Sequence, residues 1–337
     1  MELREELRQS ILTKLKENID PLDGFYAAED TKEAILAVMI SGRHLMLQGP
    51  PGTGKTTLAK ILANHLGSMQ AVKGCRYNCD PKHPQCPDCL SDRTGPGMIT
   101  TVGKERFVRV QGSPELMPED LLGDIDPVTA MQCGIHDTRA FTPGKIQRSH
   151  RKILFIDELN RVPERTQNTL IQVLEERTTT IASFDIHISV DTIVIATQNP
   201  EEYAGADRIS ETLSDRFESI HIGYPSAEQE VAILKRYARS FKDVRFDDEL
   251  LPEVVRISQS TRATEDFSRR ASVRTTIATF EQAQAIAQLQ GRETVCPDDI
   301  EKAARISLEG RTEISPNSQY YDTPDIVFRR IIKKSQD

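Results

Sequence analysis

Gly49-Pro50-Pro51-Gly52-Thr53-Gly54-Lys55-Thr56, with Thr57 directly behind it, sits between the apolar stretch HLMLQ (44–48) and the helix-forming stretch TTLAKILANHL (56–66). The spacing fits G-x-x-x-x-G-K-[ST], a motif that carries meaning in this setting, after a strand and at the start of a helix. The glycines let backbone N–H groups turn toward phosphate oxygens, and the helix N-terminus adds partial positive charge. Lys55 is placed to meet the β- and γ-phosphates, and Thr56 to offer its hydroxyl to Mg²⁺. These residues predict a nucleoside triphosphate site on an α/β fold.

Outward from that loop, strand-like stretches recur at His44 to Gln48, Arg106 to Gln111, Ile153 to Asp157, Thr192 to Thr197 and Ser219 to Ile222, most with helix-like segments between them. Short buried strands separated by helices imply a parallel sheet covered on both faces. The stretch ILFIDE (153–158) delivers two carboxylates at the C-terminal end of its strand, the end at which open α/β sheets bind ligands. Asp157 is suited to hold Mg²⁺ through water and Glu158 to polarise an attacking water. Upstream, Leu3, Leu7, Ile11 and Leu15 give residues 1–20 the pattern of an amphipathic helical leader, and Glu29 to Ile40 reads as a second helix stopped by Ser41 and Gly42. After Tyr224 and Pro225 helices follow one another with no further clear strand: SAEQEVAILKRYARSF, then about 250–260, 273–290, 297–308 and 324–334. The division expected is a leader at 1–20, a nucleotide-binding core at 21–225 and a small α-helical domain at 226–337.

A formal charge of −8 excludes a chain that coats nucleic acid by bulk charge. With 38% hydrophobic and 28% charged residues, the composition is that of a soluble globular protein. The longest apolar run, Ala34 to Ile40, falls far short of the roughly 20 residues that cross a bilayer. The charged start MELREELRQS has no signal-peptide pattern, so the cytoplasm is the expected compartment. Reducing conditions there argue against a disulfide scaffold for the six cysteines. Cys75-x₃-Cys79-x₆-Cys86-x₂-Cys89 places four of them directly behind the P-loop helix. Four such thiolates suit tetrahedral Zn²⁺, whose binding can fold a loop too short to have its own core. Redox thiols, an iron–sulfur cluster and unligated cysteines are the alternatives, and His83 is a possible substitute ligand. Pro81, Pro84 and Pro87 favour an irregular loop over helix or strand. With four cysteine ligands the zinc would be architectural, since no position is open to activate water. Cys133 and Cys296, distant in sequence, read as small, partly buried apolar residues.

DELNRVPERTQNTLIQVLEE (157–176) closely resembles the stretch after the Walker B strand of MoxR-type AAA+ ATPases. IVIATQNPEEY (193–203) is similar to their sensor-1 strand, ISETLSDRF (209–217) to their arginine-finger segment, and SRRASVRTT (268–276) to their sensor-2 segment. The resemblance runs in order from about Gly24 to Leu308, at the level of the MoxR and magnesium-chelatase I-subunit group. It implies an α/β fold, an AAA+ αβα P-loop core with a parallel sheet followed by a small α-helical lid, that hydrolyses ATP with Mg²⁺. It implies Asn199 as the residue orienting the hydrolytic water. Arg216, with Arg208 as competitor, resembles the finger reaching a neighbouring subunit's γ-phosphate. Arg274 resembles sensor 2, with Arg269 and Arg270 close by. A finger acting in trans implies a homo-oligomeric ring, a hexamer by family expectation. Residues 114–152 resemble the family's helix-2 insertion, and Thr178 to Val190 suggests a hairpin before sensor 1. Met131, Ile135 and Phe141 are then candidate pore or partner contacts, or pack locally. The cysteine insert departs from the family's usual pattern.

The leading function implied is an ATP-driven remodelling or maturation enzyme, a chaperone of client proteins, acting with a partner that carries a von Willebrand A domain. A second is the motor subunit of a magnesium or similar metal chelatase acting on a tetrapyrrole. A third is a nucleic-acid motor gripping phosphates with Lys145, Arg148, Arg151 and Lys152. Against the third stand the net charge, the absence of Trp, 5% aromatic residues and no interleaving of aromatic with basic residues around the cysteines. A solvated loop leading into the Walker B strand is the preferred reading of that basic run.

Overall fold

The computed structural model describes residues 2–91, 97–181, 186–199 and 209–333. The chain divides into two compact units. One comprises Met1–Phe25, Glu29–Gly49 and Gly54–Ile222; the other comprises Tyr26–Ala28, Pro50–Thr53 and Gly223–Asp337.

The first unit opens with helices α1 (Leu3–Lys16) and α2 (Glu29–Ile40), strand β1 (His44–Gln48) and the P-loop helix α3 (Lys55–Asn64). The cysteine insert follows, bounded by β2 (Met69–Val72) and β3 (Met98–Thr101) with the short α4 (Pro87–Leu90) between them. Then come β4 (Phe107–Gln111), α5 (Pro118–Leu122), β5 (Gly123–Ile125), α6 (Pro127–Cys133), β6 (Phe141–Pro143) and α7 (Lys145–Arg148). The unit closes with β7 (Lys152–Asp157), α8 (Glu164–Gln167), α9 (Thr169–Glu176), β8 (Thr178–Ile181), β9 (Ile186–Ser189), β10 (Thr192–Gln198), α10 (Glu211–Ser214) and β11 (Phe217–His221).

Five of these strands form one parallel sheet in the order β11-β1-β10-β7-β4. Ile153–Ile156 and Ile193–Ala196 are buried on both faces, which explains why β7 and β10 read as continuous apolar runs rather than alternating ones. Register brings the reactive ends together: Gln48 pairs with Gln198, and Gln111 with Asp157. In α1, Leu3, Leu7 and Ile11 are buried as their spacing predicts, whereas Leu15 is exposed. β8 and β9 form the hairpin expected before sensor 1.

Two expectations about local structure need correction. The cysteine insert is not simply an irregular loop, because β2 and β3 pair antiparallel at its base and Pro87 opens a helical turn. β3 is largely exposed and carries no apolar alternation, so its sequence lacked the usual strand signal. The basic run is not a solvated loop. Lys145 and Arg148 lie on α7, while Arg151 donates to the carbonyls of Gln70 and Asn78.

The second unit contains α11 (Ala227–Tyr237), α12 (Leu251–Arg262), β12 (Phe267–Arg269), α13 (Val273–Leu289), α14 (Pro297–Glu309), β13 (Glu313–Ile314) and α15 (Pro324–Lys333). Val254, Val255, Phe280, Ala283, Ile300, Ala303, Val327 and Ile331 make its core. β12 and β13 pair antiparallel, correcting the expectation of a strand-free segment; both are too short to show a period. Inside the bundle Glu230 is fully buried and takes both guanidinium nitrogens of Arg262 at 2.8 and 3.0 Å.

Candidate active site

β1 ends at Gln48, and the P-loop begins where Gly49 donates its N–H to Gln198 O at 3.2 Å. Gly49 has φ +149°, and a Cβ there would lie 2.1 Å from Ile222 O, so no larger residue fits between these strand ends. Lys55 donates from Nζ to Gly49 O at 2.8 Å, which curls the side chain back over the loop. Thr56 and Thr57 occupy the first turn of α3, and Thr53 Oγ1 donates to Pro50 O at 3.0 Å. The loop tip Pro50–Thr53 belongs with the second unit, where a Cβ on Gly52 would meet Ser272 Cβ at 2.9 Å and Arg274 Cγ at 3.7 Å.

Asp157 and Glu158 leave the end of β7 in different directions because Glu158 adopts a left-handed backbone, φ 56° and ψ 56°. Thr197 on β10 joins them: its hydroxyl donates to Asp157 Oδ1 at 2.8 Å and accepts the Glu158 N–H at 2.8 Å. Arg109 donates to Asp157 Oδ2 at 2.6 Å. Glu158 Oε2 accepts from Arg161 at 3.0 Å and from Gln111 Nε2 at 3.3 Å. Each carboxylate therefore faces its own arginine. Gly112 donates to Asp157 O at 2.7 Å, and a Cβ there would fall 2.1 Å from Glu158 O. Asp157 and the Thr56 hydroxyl are hard oxygen donors of the kind Mg²⁺ prefers.

Asn199 directly follows β10 and is 8% exposed. Arg216 follows α10; its guanidinium pairs with Glu175 at 2.6 Å and also reaches Thr212 O. Arg208 lies outside the described residues. Arg274 stands in the first turn of α13, whereas Arg269 is in β12 and pairs with Glu313 at 3.3 Å.

Three family models cover most of the chain in order. Residues 24–75 match magnesium chelatase, subunit ChlI; 96–219 match the ATPase family associated with various cellular activities (AAA); and 259–328 match the AAA lid domain. The chain belongs to the AAA+ ATPases of the MoxR and magnesium-chelatase I-subunit group. It is 27% identical to the uncharacterized protein YeaC of Bacillus subtilis, the alignment covering 85% of this chain and 82% of YeaC. It is 24% identical to the chaperone MoxR1 of Mycobacterium tuberculosis, over 89% and 76% of the two chains. A structure of the BchI–BchD complex of magnesium chelatase has the same fold, with a TM-score of 0.51 and 21% identity over 88% of this chain and 97% of that one. The αβα AAA+ core and the lid domain are thereby established.

The family models leave residues 76–95 unmatched, and three of the four clustered cysteines lie there. The four thiol sulfurs of Cys75, Cys79, Cys86 and Cys89 all lie within 4.8 Å of one another. Cys75 Sγ and Cys86 Sγ are 3.7 Å apart, too far for a disulfide and close to the edge of about 3.8 Å that zinc–sulfur bonds of about 2.3 Å give a tetrahedron. Hydrogen bonds from the thiols of Cys79 and Cys86 and from the amides of Cys79 and Tyr77 push the Cys75 thiol down against the opposing effect of burial. The amide of Cys89 points at Cys86 Sγ, 3.4 Å away, but the Cys75 and Cys79 thiols and then burial outweigh it and push the Cys86 thiol up, so with no metal present one proton is shared within the cluster. Backbone N–H groups aimed at sulfur favour the thiolates that a metal requires. His83 is exposed and outside the cluster. Phe141 packs against the cysteines in one small core with Tyr77 and Ile188, so its local reading holds; Met131 and Ile135 are exposed. Cys133 and Cys296 are partly buried.

The motifs do not point to Arg109, Gln111, Gly112, Arg161 or Thr197 as members of the carboxylate network. The register of β4 against β7 and of β7 against β10 brings Arg109, Gln111, Gly112 and Thr197 there, whereas Arg161 reaches Glu158 locally, from the turn Leu159–Arg161. One signal was available for Thr197, a polar residue at the end of an apolar strand.

Proposed function

We propose that this AAA+ protein is a ring-forming motor that hydrolyses ATP to remodel or mature a client protein, in concert with a partner bearing a von Willebrand A domain. The observation carrying this reading is the placement of Asp157 and Glu158, bridged by Thr197, at the same strand ends from which the P-loop departs. In this reading the leader is residues 1–20, the core 21–225 and the lid 226–337. Backbone amides from Gly49 to Thr57 cradle the phosphates, and Lys55 leaves Gly49 O to meet the β- and γ-oxygens. Thr56 and Asp157 would hold Mg²⁺, which would supply positive charge to offset that of the phosphates. Glu158 releases Arg161 and Gln111 and accepts a proton from the attacking water, while Asn199 orients that water. Arg216 exchanges Glu175 for the neighbouring subunit's γ-phosphate, and Arg274 reports the nucleotide to the lid. The Cys₄ cluster holds an architectural zinc, and the working compartment is the cytoplasm. Among the described residues no helix is long and apolar enough to cross a membrane.

Native mass spectrometry of Glu158→Gln with ATP and Mg²⁺ tests the reading. It should show a nucleotide-loaded ring, a hexamer, with about one zinc per chain, and turnover should fall by about 10²–10⁴. Lys55→Ala should bind no ATP, and mixing it with Arg216→Ala subunits should restore some turnover if the arginine acts in trans. Hydrolysis by Glu158→Gln at the parental rate removes the catalytic assignment. The match of residues 24–75 to the magnesium chelatase model favours, as a second reading, the motor of a metal chelatase. Metal insertion into a tetrapyrrole by a reconstituted mixture would establish it over the first.

A further inference from the structure

The basic run before β7 has no part in the proposed hydrolysis, yet the fold gathers it with cations from two other places. A surface pocket of about 360 Å³ is lined by Arg76 and Asn78 from the cysteine insert, Arg109 from β4, Lys145 and Arg148 from α7, and Lys152 from β7. Its lining holds five cationic side chains and no carboxylate, in a chain whose net charge is −8. Among the described residues, only two of the five form an ion pair: Arg76 with Asp88 at 3.3 Å and Arg109 with Asp157 at 2.6 Å. Arg148 spends its Nε on Pro143 O, at 2.9 Å. The side chains of Lys145 and Lys152 make no ion pair or hydrogen bond among the described residues. Burial, and then the nearby Arg106, push the Lys152 ammonium down, with Glu105 opposing them in part. Glu115 and Asp120 line the adjoining hollow on the far side of Arg109 and Lys145.

Like charges crowded together, two of them (Arg76 and Lys152) half-buried, are unfavourable unless an anion sits among them. Guanidinium and ammonium groups arrayed over a pocket are the donor set that phosphate oxygens select. The volume holds about twelve water-sized groups at about 30 Å³ each, which suits a chain of two or three phosphates and is too small for a folded partner. We propose that this pocket binds an oligophosphate anion and is connected through Arg109 to Asp157. The connection rests on the function proposed for Asp157; the binding does not. An anion in the pocket competes for the Arg109 guanidinium, and withdrawing it from Asp157 leaves that carboxylate free for Mg²⁺. The cysteine insert acquires a role here, because it carries Arg76 and Asn78 to the pocket wall.

The test is calorimetric titration of inorganic tripolyphosphate into the full chain carrying Lys55→Ala, so that the P-loop contributes no site. One equivalent should bind, with affinity falling as salt rises, and the unaltered chain should take up a second. Adding Lys145→Glu and Arg148→Glu, both at exposed positions, should weaken binding at least tenfold while the melting profile stays that of the parent. Lys145→Ala with Arg148→Ala should weaken it severalfold. In an otherwise unaltered chain, tripolyphosphate at concentrations that fill only this pocket should lower the free Mg²⁺ needed for half-maximal ATP hydrolysis, and the Lys145→Glu/Arg148→Glu chain should not respond. No binding to Lys55→Ala, or equal binding after charge reversal, overturns the site. Binding of single-stranded oligonucleotides that grows with length and is not displaced by tripolyphosphate overturns the ligand class. Binding with an unchanged Mg²⁺ requirement overturns the connection through Arg109.

Discussion

Glu6→Gln should destabilise the core far more than its place in the N-terminal helix suggests. Arg106 is 2% exposed, and Glu6 meets it with both oxygens, at 2.5 and 2.8 Å. The other guanidinium hydrogen bonds run to the carbonyls of Arg151 and Gly67, at 3.0 and 3.1 Å. The guanidinium is thus satisfied in number, but Glu6 supplies its direct counter-charge. Neutralising one member of a buried pair leaves an uncompensated charge, an effect of about 3–5 kcal/mol; the amide that replaces the carboxylate still accepts one hydrogen bond, which places the expectation near the lower end, at about 3 kcal/mol. At about 2–4 °C per kcal/mol for a unit of this size, the melting temperature should fall by roughly 6–12 °C. The assay is thermal unfolding followed by circular dichroism on Glu6→Gln, Arg106→Met and the double variant Glu6→Leu/Arg106→Met. The double variant should recover most of the loss, because apolar groups of similar volume need no counter-charge. A loss below about 1 kcal/mol for Glu6→Gln, the range of an exposed ion pair, or a double variant no better than the singles, would refute the reasoning. ATP hydrolysis is a second readout, since Arg106 immediately precedes β4, whose far end carries Gln111 and leads into Gly112.

Gly112→Ala should lower both stability and turnover, because the added methyl meets the backbone of Glu158 at 2.1 Å and must displace the carboxylate turn; wild-type kinetics would contradict that. His44 is buried with its pKa pushed down to about 3, first by burial and then by Arg4. The unfolded chain then binds a proton that the native one refuses, so stability should fall as pH drops from about 6.5 toward 3. That amounts to about 2 kcal/mol by pH 5, and denaturant melts of the parent and of His44→Gln at pH 7 and 5 measure how much of the acid sensitivity belongs to this ring. Cys86→Ser should empty the Cys₄ site, taking metal content from about one per chain to near zero. Hydrogen exchange should then quicken around Phe141 and Ile188 while the P-loop helix keeps its protection.

The P-loop and the carboxylate strand are legible in the sequence because each is a short contiguous segment whose function needs fixed neighbours. HLMLQ must precede the loop, and ILFI must precede Asp157 and Glu158. Helices such as Glu29–Ile40 and Pro297–Glu309 are legible because period and caps are local. What surrounds the carboxylates is not local. Arg109 reaches Asp157 across 48 positions and Thr197 reaches it across 40, and strand register alone decides that they meet. The lid ribbon was missed for a related reason, since three residues pairing with two carry too little sequence to show alternation. The basic run was misread because its four residues do not share one fate. Arg151 is bound to backbone carbonyls, whereas Lys145, Arg148 and Lys152 line a pocket completed by residues from two other segments.

The cysteine insert ties these nonlocal pieces together, and its packing explains why. Four thiols and a tyrosine make too small a core to stand alone, so the insert recruits Phe141 from the helix-2 insertion and Ile188 from the hairpin before sensor 1. Polar contacts follow the same routes: Arg76 donates to Phe141 O at 3.1 Å, Asn78 to Arg148 O at 2.8 Å, and Gln85 to Ser189 O at 3.0 Å. Both insertions are thereby fastened to one point by residues outside the nucleotide site. If the protein is the motor proposed above, such fastening would make the two insertions move together, because both pack on the same small core. Metal at the cluster would then stiffen that core, and its loss would loosen both insertions without touching the P-loop, Asp157 or Glu158.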